Sequence, residues 1–183
     1  MGGHHLILGR LKDYLTGRIV DDTLDERIRQ KLARLLVEVK GFSPADIVSR
    51  TAYTVHCGPN RAVIPIDFII YQNGRAAMLV KYGPGSLVTR HQPVLAAARI
   101  VTERPIPVAV ATNGRDADVL STHRGTVLAG GMTGIPDRRR LESMAGDENF
   151  PLLSVGAIEK NSRILYAYEV DGACPCDDTV CKL

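Results

Sequence analysis

The tightest constraint on the fold is a pair of apolar segments joined by an Asn-Gly turn. Val63 to Tyr71 is rich in β-branched and aromatic residues, and the apolar run Ala76 to Val80 follows Asn73-Gly74. Asn-Gly is the strongest short hairpin signal, because both residues tolerate the positive φ of a two-residue turn. The sequence therefore predicts two adjacent antiparallel strands in the middle of the chain.

Helical and strand patterns surround this hairpin. Thr23 and Glu26 have the form of a capping box, in which the Thr23 hydroxyl accepts the Glu26 N–H and the Glu26 carboxylate reaches back. Apolar residues then recur at helical spacing as far as Gly41, which predicts a helix over about 24–40. The other predicted elements are strands over 51–56 and 106–111, a helix over 89–102, a small hairpin about Arg124-Gly125, and helices over 138–144 and 158–170.

Composition bounds the class of protein. The 183 residues, 45% of them hydrophobic, can form one core without disulfides, and no repeat or linker divides them, so we expect a single domain over 1–183. A net charge of +3 is too small to indicate a nucleic-acid partner by itself. No apolar run approaches the roughly 18 residues of a membrane span, and we expect a cytoplasmic protein without membrane contact.

The order helix, strand, strand, strand, helix, strand is that of the PD-(D/E)xK nuclease core, and several segments support the resemblance. LDERIRQKLARLLVEVKG, PIDFII, the Asn73-Gly74 turn, MLV and ATNG are similar to the N-terminal domain of type I restriction enzyme R subunits. This resemblance covers about residues 20–125. It implies an α/β fold with a first helix, a mixed central sheet of about four to six strands and flanking helices. Residues 126–170 then form a C-terminal extension, and 171–183 a Cys-rich tail.

The resemblance also implies where catalytic residues stand. An active member holds Mg²⁺ with an Asp on the second core strand and an acid on the third, and a Lys two residues later helps to activate water. Asp67 takes the first position, but Lys81 and Gly83 stand where the second acid and the Lys are expected. Shifting the register to make Lys81 the catalytic Lys puts Leu79 at the acid position. The site is therefore predicted to be degenerate, with Mg²⁺ at Asp67 as one open possibility.

Two further residues fit the family pattern. Glu26 matches the first-helix carboxylate that can complete the metal site, although it can equally be only a capping residue. Gln92 matches the helix glutamine of the superfamily, while Ala96 replaces the tyrosine expected four residues later.

The segment from Phe68 to Thr102 carries an uneven charge. It contains no Asp or Glu but four arginines and lysines, which gives +4 over 35 residues. Such a segment predicts an electropositive pocket for phosphate, unless its cations are simply solvated. The predicted phosphate-binding residues are Arg75, Lys81, Arg90, His91 and Arg99.

Two other segments are weaker phosphate candidates. The glycines of 82–86 allow a phosphate to approach the backbone N–H groups, although a plain tight turn explains them as well. Arg138-Arg139-Arg140 offers three cations, but three consecutive helical residues cannot all face one partner.

Four cysteines are distributed unevenly. Cys174, Cys176 and Cys181 lie within the last ten residues, and Cys57 lies in the first core strand. Thiolates at this density in a cytosolic protein favour Zn²⁺ or an iron-sulfur cluster over a disulfide. The arrangement is similar to that of the iron-sulfur exonucleases of the same superfamily. A redox pair and plain reduced thiols are the alternatives.

Three functions follow. The leading hypothesis is a nuclease-fold protein that binds nucleic acid, or another phosphate-bearing ligand, without cutting it. The second is an active Mg²⁺-dependent nuclease that uses Glu26, Asp67 and Lys81. The third is a metal, iron-sulfur or redox adaptor that acts through the cysteine tail. A homodimer is compatible with each hypothesis, and none of them requires it.

Overall fold

A computed structural model of the chain describes residues 6–145, 150–171 and 181–182. The strands are β1 (Arg10–Lys12), β2 (Ile19–Asp21), β3 (Ile47–Cys57), β4 (Asn60–Gln72), β5 (Arg75–Tyr82), β6 (Val108–Thr112), β7 (Ala117–Ser121), β8 (Val127–Gly130) and β9 (Cys181–Lys182). The α-helices are α1 (Leu24–Arg34), α2 (Leu87–Ile100), α3 (Arg138–Ala145) and α4 (Val155–Tyr166). None of the helices in the described part is long and apolar enough to cross a membrane.

The central sheet is mixed, which confirms the predicted α/β class. Its strands follow the order β3-β4-β5-β6-β7-β8, and β9 pairs with β4. β5 and β6 are parallel, with α2 as the connection between them, and every other pair in the sheet is antiparallel. The carboxyl ends of β5 and β6 therefore lie side by side. We use the word edge for this side of the sheet, on which these strands end.

The predicted Asn-Gly hairpin joins β4 to β5. Gln72 pairs with Arg75, and the two residues between them have positive φ, 52° for Asn73 and 74° for Gly74. This is the backbone geometry that the turn residues favour. The small hairpin about Gly125 is also confirmed, because β7 and β8 pair antiparallel on either side of it.

Helices cover both faces of the sheet. Leu32 of α1 and Leu141 of α3 pack in one core, which we call the α1/α3 face. Ala96 of α2 and Leu165 of α4 pack in the other, which we call the α2/α4 face. Burial on both faces explains why the central strands are apolar almost without interruption.

Two short pieces were not predicted. The β1–β2 hairpin has strands of three residues each, too short to show the alternation that identifies a strand. β9 is a two-residue strand in the cysteine tail, opposite Ala62 and Val63 of β4. The helix predicted over 24–40 is present, but it ends in a π-helical turn over Leu35–Val39.

Leu165 tests whether the C-terminal extension belongs to the same cooperative unit as the sheet. It is fully buried, so Leu165→Ala is expected to lower the free energy of unfolding by about 2–5 kcal/mol. Val155 on the same helix is 73% exposed, and Val155→Ala is expected to change it by less than about 0.5 kcal/mol. Urea unfolding followed by circular dichroism measures both. A second transition that Leu165→Ala shifts alone would contradict a single domain.

Candidate functional site

Asp67 lies at an irregular point of β4. Ile66 packs on the α2/α4 face and Phe68 on the α1/α3 face, although strict alternation would put them on the same face. The neighbouring strand is irregular at the same level, because Arg50 has a φ of 55°, which is unusual for a residue with a side chain. In this irregular region the Asp67 carboxylate accepts a hydrogen bond from the backbone N–H of Tyr82 at 2.8 Å.

The second oxygen of Asp67 is paired with an arginine of α1. Nε of Arg29 lies 2.6 Å from Oδ1 of Asp67. Asp67 is only 5% exposed. The guanidinium also lies over the ring of Tyr82, with Cζ 5.9 Å from the centroid. Burial lowers the pKa of Arg29, but the charge of Asp67 and then that of Glu26 more than compensate, so the net effect is a raised pKa. Arg29 is therefore a permanent cation against Asp67.

Glu26 and Asp13 extend this pairing to a second arginine. The Glu26 backbone N–H donates to Thr23, as the capping box predicts, but its carboxylate accepts from Gln30 at 2.7 Å and pairs with Arg50. Arg50 also holds Asp13, with Nη1 2.7 Å from Oδ2.

Nη1 of Arg29 lies 3.8 Å from Oε2 of Glu26, so the pairs form one continuous group. We call it the acid–arginine cluster and define it as Asp13, Glu26, Arg29, Arg50 and Asp67.

Asp13 is the most strongly hydrogen-bonded carboxylate of the cluster. Oδ1 accepts from the backbone N–H and the hydroxyl of Thr16, both at 2.7 Å, and Oδ2 accepts from Gln30 at 2.8 Å. Burial raises the pKa of Asp13, but hydrogen bonds from Thr16, Gln30 and Arg50 outweigh burial and hold the pKa far below its usual value. The N-terminal hairpin is thereby fixed to α1 and β3 by a charged group.

Tyr82 packs against the cluster, with its ring next to Arg29. Its hydroxyl donates to Asp25 at 2.9 Å. Burial, followed by this hydrogen bond, raises the pKa of Tyr82 to about 12. The phenol is therefore protonated at neutral pH and acts there as a hydrogen-bond donor.

Lys81 is directed away from Asp67, to the α2/α4 face. Its Nζ lies 2.9 Å from Oε2 of Glu169, which follows α4, and 3.4 Å from the carbonyl oxygen of Pro65. Both charged side chains are largely buried, at 8% and 11% exposure. Because adjacent residues of a strand face opposite ways, Tyr82 reaches the Asp67 side and Lys81 does not. The structure thus brings Glu26 and Asp67 together and separates Lys81 from them.

Arg90 lies at the position predicted for the catalytic lysine. A Cβ atom on Gly83 would lie 3.0 Å from Cζ and Nε of Arg90, so a side chain at 83 would displace the guanidinium. Arg90 donates to the Pro84 carbonyl at 3.1 Å. It belongs to the first turns of α2, whose N-cap Ser86 makes no side-chain cap hydrogen bond. The exposed Arg115 lies in the loop after β6, at the same edge of the sheet.

The other predicted phosphate ligands are spread over the molecule. Arg75 is exposed at the β4–β5 turn, and His91 pairs with Asp118 at 2.7 Å. Arg99 donates to the Thr122 carbonyl at 2.9 and 3.2 Å, and Gln92 lies on the same outer side of α2. The excess positive charge of 68–102 does not form one pocket, because Lys81 and His91 pair with acids outside that segment.

The predicted cysteine site is described only in part. Cys174 and Cys176 lie outside the described residues. Cys57 is a free thiol opposite Asn60, while the backbone of Cys181 pairs with Val63 on the other side of β4. Within the described ranges, no three His, Cys, Asp or Glu residues are grouped so as to hold a metal ion.

Mg²⁺ does not suit the donors around Asp67. One carboxylate oxygen accepts from Arg29 and the other from the Tyr82 N–H, so an ion there would have to displace at least one of them. A second carboxylate is missing from β5, because its residues on the Asp67 side are Val80 and Tyr82. The family-type metal site and this set of residues therefore disagree.

Sequence reasoning missed three members of the acid–arginine cluster and also Glu169, the partner of Lys81. Arg29 carries a local signal, because it lies three residues after Glu26 and so shares its helix face. Asp13, Arg50 and Glu169 carry none, since each meets its partner only through the tertiary fold.

The mixed sheet with helices on both faces is compatible with a restriction-endonuclease-like core. Against known protein families, residues 24–136 match the family described as type I restriction enzyme R protein N terminus. The match covers more than half of the chain, and the chain belongs to this family. Membership associates it with a DNA-related function. Searches of the curated proteins and of the solved structures gave no match.

Arg29→Met tests the buried pair. It leaves Asp67 buried without its cation, and we expect the free energy of unfolding to fall by about 3 kcal/mol. Arg27→Met is the matched control on the same helix: Arg27 is 51% exposed, so losing its pair with Asp22 is expected to cost about 1 kcal/mol or less. Equal losses in urea unfolding of the two variants would contradict the account.

Asp13→Asn tests the pH dependence. Since the folded-state pKa of Asp13 is lowered, its ionised form stabilises the fold above the ordinary Asp pKa of about 3.9, and this stabilisation declines as the pH falls below that value. The wild type is therefore expected to exceed Asp13→Asn in unfolding free energy at neutral pH, by a margin that shrinks in acid. Asp21→Asn, at an exposed ion pair, is the control. A margin that grows on acidification is the opposite of this expectation.

Proposed function

We propose that this chain is a nucleic-acid-binding domain of nuclease fold that does not cleave its ligand. The observation that supports the proposal is that arginines stand beside both sequence positions, 67 and 83, at which the family pattern places catalytic groups. Arg29 is paired with Asp67, and Arg90 fills the space beside Gly83. Cations in these places favour contact with phosphate over coordination of a metal ion.

Cleavage lacks its main components in this arrangement. The acidic groups that remain, Asp67 and Glu26, are paired with Arg29 and Arg50. Lys81, which the second hypothesis uses in catalysis, is paired with Glu169 on the opposite face of the sheet. Both carboxylates are thus held by guanidinium groups, and Lys81 does not reach Asp67.

Phosphate binding is proposed at the edge formed by the carboxyl ends of β5 and β6. Arg90 and Arg115 supply cations there, and the Gly83–Gly85 loop lets a ligand approach the backbone. The first turn of α2 contains no acidic residue and its N–H groups face this edge, which favours an anion. Ligands of open α/β sheets bind outside the carboxyl ends of the parallel strands.

Arg90→Gln tests the binding half of the proposal. If Arg90 contacts phosphate, the variant is expected to bind duplex DNA more weakly whatever the sequence, and the slope of log K against log salt should fall by about 1. Arg75→Gln, an exposed arginine at the opposite end of β5, is the control and is expected to leave the slope unchanged. Filter binding across a salt series measures both. The absence of binding at low ionic strength would refute the proposal.

The cleavage half needs a separate assay on the full chain. Plasmid and single-stranded DNA are expected to remain intact when incubated with the protein and Mg²⁺ or Mn²⁺. Cleavage that is lost in Asp67→Asn would show instead that the cluster rearranges into an active nuclease, the alternative function.

A further inference from the structure

A groove of about 490 Å³ lies on the α2/α4 face, away from the acid–arginine cluster. Its floor and walls come from α2, the β7–β8 turn and α4, and its volume is within the range of small-molecule sites. Its residues include two cations and a histidine, and no described residue that lines it is acidic. The polar and aromatic lining residues are Gln92, Arg99, Thr122, His123, Phe150, Lys160 and Asn161.

Arg99 brings a partly buried positive charge to this groove without an acidic partner. Its guanidinium donates to the Thr122 carbonyl and lies 3.5 Å from the amide oxygen of Asn161, both neutral acceptors. No ion pair in the described ranges involves Arg99. Burial lowers its pKa, because the charge is poorly solvated. A cation held in this way favours an anionic ligand.

Thr122 takes part in the groove through its backbone. Its hydroxyl is buried, but its carbonyl oxygen accepts from Arg99 at 2.9 and 3.2 Å and so holds the guanidinium against the β7–β8 turn.

Aromatic and apolar groups form the rest of the groove. The rings of His123 and Phe150 lie 5.7 Å apart at an angle of 37°, and Leu153 and Ile164 add apolar walls. Such a surface suits a planar ring, which gains dispersion contact and stacking. Lys160, at the rim, adds a second cation beside Arg99.

We propose that this groove binds a small organic anion that joins a phosphate group to a planar ring, of the nucleoside monophosphate type. Arg99 and Lys160 hold the anionic group, and the His123–Phe150 pair contacts the ring. This site is distinct from the proposed DNA-binding edge and does not depend on it.

The test uses the full chain and four probes: AMP, phenyl phosphate, adenosine and inorganic phosphate. Calorimetry is expected to show that AMP and phenyl phosphate bind more tightly than adenosine or inorganic phosphate, the two halves of AMP. Amide shifts in ¹⁵N-resolved NMR are expected at Thr122, Ala157 and Asn161. If neither ring-bearing phosphate binds at millimolar concentration, or if shifts are confined to Gly83–Arg90, the proposal is overturned.

Three variants separate binding from folding. His123→Ala removes an exposed ring from the His123–Phe150 pair, so it is expected to fold as stably as the wild type while AMP binds about 3–10-fold more weakly. Lys160→Gln, at an exposed position, is expected to weaken AMP binding by about 3-fold. Arg163→Gln, on the same helix but outside the groove, is the control and should leave AMP binding unchanged. AMP affinity unaffected by both groove variants would also overturn the site.

Discussion

The ion pair between Arg29 and Asp67 is the interaction on which the rest of the site depends. A carboxylate as buried as Asp67 needs a cation or several hydrogen bonds, and here it has Arg29 and the Tyr82 N–H. Arg29 lies beside Glu26, which pairs with Arg50, and Arg50 holds Asp13. Through this sequence of contacts, one buried charge fixes α1, β3, β4 and the N-terminal hairpin relative to one another.

The same carboxylates can hold either a metal ion or arginines, and the residues of β5 decide between them. In a metal site, a second acid on β5 would add negative charge next to Asp67 and increase the affinity for Mg²⁺. The β5 residues on the Asp67 side are Val80 and Tyr82, neither of them an acid. Lys81 faces the other way, to Glu169. Without the second acid, the charge of Asp67 is matched by a single guanidinium. The space at Gly83 is likewise filled by Arg90.

The parts of the fold that could be predicted are those whose cause is local. Asn73-Gly74 specifies its own turn, and the capping of α1 by Thr23 depends on residues three positions apart. The partners of the charged residues could not be predicted in this way. Arg50 meets Glu26 and Asp13 only after the strands are assembled, and Lys81 meets Glu169, which lies 88 residues later in the chain. Counting charge within 68–102 leaves out the acids that pair with Lys81 and His91. Those acids, Glu169 and Asp118, come from elsewhere in the chain.

The central claim is that arginines occupy the place of a metal ion beside Asp67. Paramagnetic broadening of backbone amide signals by Mn²⁺ tests it directly, because only nuclei close to a bound ion lose intensity. With substoichiometric Mn²⁺ at physiological salt, we predict that the amides of Arg29, Asp67 and Tyr82 keep their intensity relative to the rest of the chain. Selective loss of these three signals, reversed by excess Mg²⁺, would show a divalent metal site and contradict the account.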